Sequence, residues 1–266
     1  MSIGKELRLQ RIFDKNSKRT VIITLDHAIA HGVQEGIRDI EDTIEKVVAG
    51  EPNCITIHKG LVRKFYKKFM GKISLILKVS SFSPYHPSYD VFLTSVEEAL
   101  SYGADAIALG ASVGDSRQDL MLKRISKLSK ECEHYGMPLT VHIYPKGDMI
   151  KEEDRYKTEN IMYAARVASE LGADIVKTWY TGSIETFREV VKACPVPIVI
   201  AGGPKAKNLK EFFIMVKGAM EAGASGVAIG RNVWGSKNPT LMVKALKSLI
   251  HDGYEVEQVL KEFTIE

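Results

Sequence analysis

A short apolar segment, a polar or glycine-bearing loop and a longer amphipathic segment follow one another repeatedly along this chain. Such alternation predicts parallel βαβ units, because strands that alternate with helices form a parallel sheet. Eight such units in 266 residues favour a closed (β/α)8 barrel of the TIM type over an open sheet. The predicted strands are Val21–Asp26, Cys54–His58, Ile73–Val79, Ala104–Gly110, Leu139–Tyr144, Ala173–Thr178, Ile198–Gly202 and Gly226–Gly230.

The joints between the predicted helices and strands support this α/β arrangement. Gly103, Gly172 and Gly223 each stand between a helical pattern and the next strand, where helices commonly end on a left-handed residue. The helical patterns include Ile40–Val48, Val96–Tyr102, Leu120–Tyr135, Thr158–Leu171, Ile184–Ala193 and Leu209–Ala222.

Both ends of the chain are predicted to add a helix to the barrel. Met1–Phe13 precedes the first strand, and we expect its apolar stripe to cover the bottom of the barrel. That stripe consists of Leu7, Leu9, Ile12 and Phe13. Glu255–Phe263 is predicted to form an extra terminal helix. Because no linker divides the chain, residues 1–266 are predicted to form a single domain.

Composition narrows the range of partners. The hydrophobic content of 45%, the charged content of 26% and the net charge of +4 are ordinary for a globular protein, so we expect no nucleic-acid partner. No apolar run approaches the length of a membrane span, and the N-terminus lacks a signal-peptide core, so no membrane partner is expected. Cys54, Cys132 and Cys194 are widely spaced and odd in number, which predicts reduced thiols and a cytoplasmic location.

One lysine lies where a strand is predicted to be buried, because Lys177 follows the apolar run Ala173–Val176. Burial disfavours the charged form of an ammonium group, so this lysine is expected to have a lowered pKa. A desolvated neutral lysine is a nucleophile that forms Schiff bases with carbonyl substrates. The alternative for a lone strand-end lysine is a side chain whose ammonium group reaches solvent. The residues at the other strand ends favour the first interpretation.

Polar residues collect at the C-terminal ends of the predicted strands, where barrels of this type place their catalytic groups. They are Asp26, His27, His58, Lys59, Lys78, Tyr144, Lys177, Gly202–Lys205 and Gly230–Asn232. Side chains two apart on a strand share a face, so an interior that receives Lys177 is expected to receive Tyr144. A tyrosine beside an imine can exchange a proton with it, and an aspartate such as Asp26 can orient the lysine. The alternatives are a tyrosine that caps the core and an aspartate that caps a loop or helix.

Histidines raise the question of a zinc site. They are His27, His31, His58 and His142. The i, i+4 spacing of His27 and His31 brings two ligands together only on a helix, and we expect this segment to be a loop. No cysteine, glutamate or aspartate joins the histidines at ligand spacing, so no metal is expected. No other cofactor is expected either.

Two glycine-rich segments follow the last two strands, A-G-G-P-K at 201–205 and A-I-G-R-N at 228–232. Barrels frequently build a phosphate site at these two strands from backbone N–H groups. The candidate phosphate-binding residues are Gly202, Gly203, Gly230 and Arg231. Either segment alone also fits a tight loop. Both segments at these two strands predict a phosphate site.

With these features the chain resembles the archaeal-type class I fructose-bisphosphate aldolases. These DeoC/FbaB-like aldolases include the 2-amino-3,7-dideoxy-D-threo-hept-6-ulosonate synthases. The matching segments are L-D-H-A-I-A-H-G at 25–32, Y-P-K-G at 144–147, E-L-G-A-D-I-V-K-T-W-Y-T-G at 170–182, A-G-G-P-K at 201–205 and G-V-A-I-G-R-N-V-W at 226–234. They stand in family order, and the resemblance covers the chain from about Leu7 to the last helix.

The resemblance implies a Schiff-base mechanism, in which Lys177 attacks the ketone of a phosphorylated sugar such as dihydroxyacetone phosphate. Tyr144 is then the acid and base at the imine and enamine stages, and Asp26 orients groups or relays protons. Residues implied to bind the substrate and its phosphate are His27, His31, Lys146, Gly202, Gly203, Gly230 and Arg231. The resemblance also implies a homo-oligomer, often a decamer in this family.

Two branches of this family share the resemblance. The D-H-x-x-x-H-G pattern with His31, and the L-I-L-K run ending at Lys78, resemble the fructose-bisphosphate aldolases. The N-terminal G-K-x-x-R-L-x-R-I-F and the I-H-K-G at 57–60 resemble the heptulosonate synthases. Ala28 replaces the glycine usual after D-H, and because alanine resists positive φ, the loop beside Asp26 is expected to differ. We expect aldol cleavage and condensation of ketose phosphates.

Three other functions stay open on the sequence. A thiolase acting on a phosphorylated diketone carries the same lysine and phosphate loops on this fold, and it would depend on coenzyme A. A non-catalytic barrel that senses a sugar phosphate would be favoured by the loss of Lys177, Tyr144 or Asp26, and all three are present. A metal-dependent aldolase would be inactivated by a chelator.

Overall fold

The computed structural model describes residues 2–206 and 208–265, apart from the side chains of residues 88 and 89. Its strands are β1 (Thr20–Thr24), β2 (Cys54–Ile57), β3 (Ser74–Lys78), β4 (Ser80–Ser83), β5 (His86–Phe92), β6 (Ala106–Val113), β7 (Leu139–Pro145), β8 (Ile175–Thr178), β9 (Ile198–Ala201) and β10 (Gly226–Ile229). All except β4 and β5 pair in parallel and close into a barrel, in the order β1-β10-β9-β8-β7-β6-β3-β2. Each predicted strand is present with ends that differ by at most three residues, which confirms the predicted barrel.

The barrel interior is apolar at its lower end. Alternate strand residues face inwards, as expected from the two-residue period of a strand. The buried residues of this lower layer are Ile12, Ile22, Cys54, Ile76, Ala106, Ala108, Ile175, Val199 and Ala228. Two positions further along β3 and β8, the same alternation brings Lys78 and Lys177 to the upper interior, where both are buried. The apolar layer therefore separates these lysines from the bottom of the barrel.

Helices surround the barrel, and each helix predicted from the sequence corresponds to one of them. They are α1 (Ile3–Ile12), α2 (His27–His31), α3 (Ile40–Ala49), α4 (Lys59–Phe69), α5 (Val96–Ser101), α6 (Gln118–Tyr135), α7 (Thr158–Glu170), α8 (Ile184–Ala193), α9 (Leu209–Glu221), α10 (Arg231–Trp234), α11 (Pro239–Ile250) and α12 (Val256–Glu262). Side-chain caps define several of the starts; Ser95, Ser183 and Asn208 each accept a hydrogen bond from a backbone N–H in the first turn.

Helix α1 closes the bottom of the barrel. Ile12 belongs to the interior cluster, and Leu9 and Phe13 pack against it. The prediction was wrong for Leu7, which is 49% exposed, because it lies on the opposite side of the helix from this contact. The ammonium group of Lys5 is buried between Glu133 (2.8 Å) and Asp174 (3.1 Å), and these ion pairs tie α1 to the barrel.

The three joint glycines have the backbone conformation that the sequence predicted. Gly103, Gly172 and Gly223 have φ values of 70°, 93° and 105°, which residues with a side chain rarely adopt. Each follows a helix and precedes a barrel strand. Left-handed glycines therefore end α5, α7 and α9.

Strands β4 and β5 form an antiparallel hairpin that the sequence analysis did not predict. It is inserted between β3 and α5. Its base is held to the barrel, because the backbone N–H of Leu93 donates to the oxygen of Val79 (2.8 Å) and that of Val79 donates to Ala108 (3.0 Å). The hairpin thus stands at the C-terminal end of β3.

No helix in the described part of the chain is long and apolar enough to span a bilayer. Cys54, Cys132 and Cys194 are free and buried, as expected for reduced thiols.

Candidate active site

A cavity of about 230 Å³ opens at the C-terminal ends of the barrel strands. It brings together every site residue that the sequence predicted: Asp26, His27, His31, Tyr144, Lys146, Lys177, Gly202, Gly203, Gly230 and Arg231. These residues come from β7, β8 and the segments that follow β1, β7, β9 and β10, so only the closed barrel places them together.

Lys177 lies in the cavity on β8, between His142 of β7 and Val199 of β9 in the strand register. Only 7% of Lys177 is exposed. Burial lowers its pKa to about 8, and the positive charges of Lys78 and Arg231 act in the same direction, whereas Asp26 opposes them. At pH 7 roughly a tenth of a lysine with this pKa is the neutral amine. The lowered pKa agrees with the prediction from the sequence, and a neutral amine at this position can act as a nucleophile.

Asp26 follows β1 and lines the same cavity. Burial alone would raise the pKa of Asp26, but the positive charges of His27, Lys78 and Lys177 outweigh burial and hold the pKa well below its usual range. His27 contributes only when it is protonated, and at pH 7 it is mostly neutral because burial lowers its pKa to about 4. At neutral pH the two lysines therefore keep Asp26 ionised. An ionised carboxylate in this cavity can accept a proton or hold an ammonium group.

Tyr144 faces the cavity from β7, as predicted from its spacing to His142. Its ring lies 4.8 Å from that of Trp179, which stacks on Tyr156 at 4.7 Å. Burial raises the pKa of Tyr144, and the charge of Asp26 adds to this effect. The phenol is therefore protonated at neutral pH and can donate its proton to an oxygen or nitrogen in the cavity.

The two glycine-rich segments meet at the side of the cavity formed by β9 and β10. The side-chain amide of Asn232, which is buried, donates to the oxygens of Gly202 (2.8 Å) and Pro204 (3.1 Å). Its oxygen accepts from the backbone N–H of Ala206 (2.7 Å). One side chain therefore fixes the loop after β9 from the segment after β10.

Gly230 and Arg231 complete this side. A Cβ atom on Gly230 would lie 2.4 Å from Cε1 of His27 and 2.6 Å from the oxygen of Thr24, so the position requires glycine. The buried Nε of Arg231 has no hydrogen-bond partner within residues 2–206 and 208–265. Because a buried guanidinium N–H needs an acceptor, this arrangement suits an anion.

The segment from His27 to His31 is the helix α2, so the prediction of a loop was wrong. Ala28 lies inside this helix, where alanine is the most favourable residue, and it needs no positive φ. The expected disturbance beside Asp26 is therefore absent at this residue. The rings of His27 and His31 lie 6.0 Å apart. Over the described ranges, no three His, Cys, Asp or Glu side chains are grouped so that they could hold a metal ion.

The hairpin contributes residues that the sequence analysis missed. Phe82 of β4 packs between the ring of His31 (5.2 Å) and the ammonium group of Lys146 (4.7 Å). Lys146 also donates to the backbone oxygen of Pro87 (3.3 Å). The S-P-Y-H-P stretch at 83–87, a turn signal between two extended segments, could have indicated the hairpin. Its position over the cavity depends on the fold.

Some of the other polar residues near the predicted strand ends line the cavity, and others lie outside it. Lys78 and His142 line the cavity together with Lys177. Lys59 does not reach it, since its ammonium group donates to the oxygen of Leu93 (2.7 Å) and pairs with Glu98 (3.0 Å). Lys59 therefore ties the start of α4 to the start of α5.

Comparison with known sequences places this chain among the aldolases. A sequence profile of the DeoC/LacD family aldolases matches residues 20–236. An uncharacterized aldolase of Saccharolobus solfataricus is 34% identical, over 97% of this chain and 98% of that protein. The 2-amino-3,7-dideoxy-D-threo-hept-6-ulosonate synthase 1 of Archaeoglobus fulgidus is 35% identical, over 97% of this chain and 95% of that protein.

Solved structures agree with the sequence comparison. An archaeal fructose-1,6-bisphosphate aldolase, with its catalytic lysine covalently bound to the carbinolamine intermediate of the substrate, is 31% identical and superposes with a TM-score of 0.84. The match covers 93% of this chain and 99% of that structure. The resemblance noted in the sequence is thereby confirmed.

Proposed function

Because the chain belongs to the DeoC/LacD family of aldolases, we propose that it is a class I aldolase acting on phosphorylated ketoses through a Schiff base on Lys177. The expected substrates are of the fructose 1,6-bisphosphate and dihydroxyacetone phosphate type, and the barrel acts as a single domain without a metal or cofactor. The observation that carries the proposal is the buried amine of Lys177, whose pKa of about 8 makes it nucleophilic inside the cavity.

The reaction in the condensation direction begins when neutral Lys177 attacks the ketone carbon of dihydroxyacetone phosphate. Loss of water from the carbinolamine gives an iminium ion, and removal of a proton from the adjacent hydroxymethyl carbon gives an enamine. The enamine carbon attacks the aldehyde carbon, and the aldehyde oxygen takes up a proton. Hydrolysis of the new iminium ion releases the ketose and restores the amine. Cleavage is the reverse sequence.

Tyr144 and Asp26 have the protonation states that these steps need. Tyr144 is a protonated phenol at neutral pH, so it is the donor to the aldehyde oxygen and, once ionised, the base that restores the cycle. Asp26 is a carboxylate, so it holds the ammonium form of Lys177 and relays protons to and from it. Both residues line the cavity with Lys177.

The β9 and β10 side of the cavity is the proposed phosphate site. Backbone N–H groups of Gly202, Gly203 and Gly230 and the guanidinium group of Arg231 would bind the phosphate of the ketone fragment. His27 and His31 on α2, and Lys146 below the hairpin, line the remaining wall and are proposed to bind other oxygens of the substrate.

The position of Lys78 favours the fructose-bisphosphate aldolase branch. Lys78, which ends the aldolase-like L-I-L-K run, lies in the cavity, as does His31 of the D-H-x-x-x-H-G pattern. Lys59 of the synthase-like I-H-K-G run makes structural contacts away from the cavity. The second candidate is a 2-amino-3,7-dideoxy-D-threo-hept-6-ulosonate synthase, a transaldolase-like enzyme of aromatic amino acid biosynthesis. The 35% identity to the Archaeoglobus fulgidus enzyme supports it.

The test is to incubate the protein with dihydroxyacetone phosphate and sodium borohydride and to map the adduct by peptide mass spectrometry. A reduced adduct on Lys177 is expected. Absence of an adduct, with activity lost in a chelator, would replace the proposal by a metal-dependent aldolase. Absence of both adduct and activity would leave the phosphate-binding protein, whereas acyl transfer that requires coenzyme A would point to the thiolase.

We further expect a cytoplasmic homo-oligomer, as in the family that the sequence resembles. Size-exclusion chromatography with light scattering measures the subunit number, and a monomer at micromolar concentration would contradict this expectation.

A further inference from the structure

A second buried ammonium group lies in the cavity, and the reaction sequence described above does not use it. Lys78 ends β3 and is 7% exposed. Its strand pairs with β6, where Ala108 is its partner in the register. The charge of Lys78 acts on both Lys177 and Asp26, so its ammonium group lies within electrostatic range of the reacting residues.

Asp90, from the hairpin strand β5, lies beside Lys78. A Cβ atom on Gly110 would be 2.2 Å from Oδ2 of Asp90 and 3.2 Å from Nζ of Lys78. The carboxylate and the ammonium group therefore share the space that the missing side chain of Gly110 leaves open. This glycine has an ordinary negative φ, so its role here is to provide room and not backbone freedom.

Asp90 is buried and held in place, yet one of its oxygens is unsatisfied. Its Oδ1 has no hydrogen-bond partner in the part of the chain that the structure describes. Its backbone oxygen accepts a hydrogen bond from Arg124, and the neighbouring Ser80 hydroxyl accepts from the backbone N–H of Gly110 (2.8 Å). Asp90 lines the cavity, and a buried carboxylate oxygen without a partner needs a donor, which a ligand can supply.

The strand order places this pair across the barrel from the proposed phosphate site. Around the closed barrel, β6 is four strands from β10, and β3 is four strands from β9. In a ring of eight strands, four strands is the opposite side. A ketose whose phosphate binds at β9 and β10, and whose carbonyl carbon is bound to Lys177, therefore extends towards β3 and β6. The part that arrives there is the aldehyde fragment.

We propose that Lys78 and Asp90 are specificity-determining residues that bind a hydroxyl group of the aldehyde fragment, next to the carbon–carbon bond that is made or broken. Asp90 accepts a hydrogen bond from the hydroxyl group, and Lys78 donates one to the hydroxyl oxygen. A neutral hydroxyl group can donate to the carboxylate and accept from the ammonium group at the same time, whereas an anion has no proton to donate to Asp90. The inference rests on the proposed aldolase function and adds the residues that select a 2-hydroxyaldehyde over an aldehyde without this hydroxyl group.

The test compares two aldehydes that differ only in this hydroxyl group. Each is condensed with dihydroxyacetone phosphate: glyceraldehyde 3-phosphate, and 3-oxopropyl phosphate, which lacks the 2-hydroxyl. The wild-type protein is expected to prefer glyceraldehyde 3-phosphate in kcat/KM by about 100-fold, because a charged hydrogen-bonding pair discriminates strongly against a missing partner. In Asp90→Asn, Asp90→Ala and Lys78→Met, the preference is expected to fall to about tenfold or less.

Two further variants test the specificity of these effects. One displaces the Asp90 carboxylate, and the other changes a lysine outside the cavity. Gly110→Ala should also reduce the preference, because its Cβ atom displaces the Asp90 carboxylate without removing it. Lys123→Met, which changes an exposed lysine of α6, should keep the wild-type preference. Borohydride trapping of dihydroxyacetone phosphate on Lys177 reports whether each variant still folds with a working site.

The outcomes separate this inference from the function on which it rests. A wild-type preference that persists in all the Lys78, Asp90 and Gly110 variants that trap the ketone would overturn the inference alone. A wild-type protein that traps the ketone but uses neither aldehyde, or uses both equally, would also overturn it. A wild-type protein that forms no adduct and shows no aldol activity would overturn both proposals.

Discussion

Around the mouth of the barrel, the segments after β9 and β10 present mainly glycine backbone to the cavity, together with Arg231, whereas the opposite side presents the charged side chains of Lys78 and Asp90. The first side consists of glycines held by the buried amide of Asn232. The second has Lys78 and Asp90 in the space above Gly110. Backbone N–H groups in a fixed loop suit a phosphate, which is the same in many substrates. A side chain can be replaced by a single mutation without changing the backbone, so side chains suit the recognition of the part of the substrate that varies.

Lys177 stands between these two sides, and its removal is the strongest test of the comparison. Lys177→Ala is expected to reduce kcat by about 10⁴-fold or more, because no other group replaces the covalent nucleophile. The fold should persist, since the substitution removes a buried charge. Steady-state kinetics, with circular dichroism as the control for folding, checks this. Near-normal turnover would contradict the Schiff-base mechanism.

The Tyr144→Phe variant tests whether Tyr144 is needed for proton transfer but not for formation of the Schiff base on Lys177. The variant keeps the ring contact with Trp179 but loses the hydroxyl group, so kcat is expected to fall by about 10²–10⁴-fold, the usual contribution of an acid or base. Borohydride trapping on Lys177 should continue. Turnover and trapping are measured on the same preparation, and an unchanged rate would make Tyr144 a structural residue.

Arg231→Ala tests whether the β9 and β10 side binds phosphate. The loss of a charge-assisted hydrogen bond is expected to raise the concentration for half-maximal trapping of dihydroxyacetone phosphate by about 10- to 100-fold. Unphosphorylated dihydroxyacetone should be affected much less. Arg188→Ala, on the exposed face of α8, is the matched control. Equal effects on both ketones would place the phosphate elsewhere.

The pH dependence of trapping tests the link between the two sides. The neutral amine of Lys177 is the nucleophile, so the trapping rate should rise as pH increases through about 8 and then level off. Between pH 7 and pH 9 the neutral fraction grows by about tenfold. In Lys78→Met the inflection should move to higher pH, because a positive charge that disfavours the ammonium form is removed. An inflection that stays in place would show that Lys78 does not act on Lys177.

The placement of the candidate catalytic residues in the cavity could be predicted from the sequence. Lys177, Tyr144 and Asp26 each lie at the end of an apolar strand, and strand alternation together with the barrel closure decides which way they face. The glycines after β9 and β10 could be predicted for the same reason. These features depend on the local sequence pattern and on the rule that (β/α)8 barrels carry their functional groups at the C-terminal ends of the strands.

The hairpin side could not be predicted in this way. Asp90 reaches the cavity only because β5 folds back over Gly110, a contact that no local pattern indicates. Helix α2 was missed for a different reason. His27–His31 is a single helical turn, too short to show a helical period, although Ala28 and Ala30 favour a helix.

Asn232 has a consequence for anyone who grafts loops between barrels of this fold. Its amide joins the loop after β9 to the segment after β10, so the two segments form one exchangeable module and lose their shape if moved separately. The hairpin, by contrast, enters and leaves the barrel at neighbouring backbone positions, where Leu93 bonds to Val79. It can be transplanted or redesigned as a unit of its own, and new acceptor preferences are best sought there.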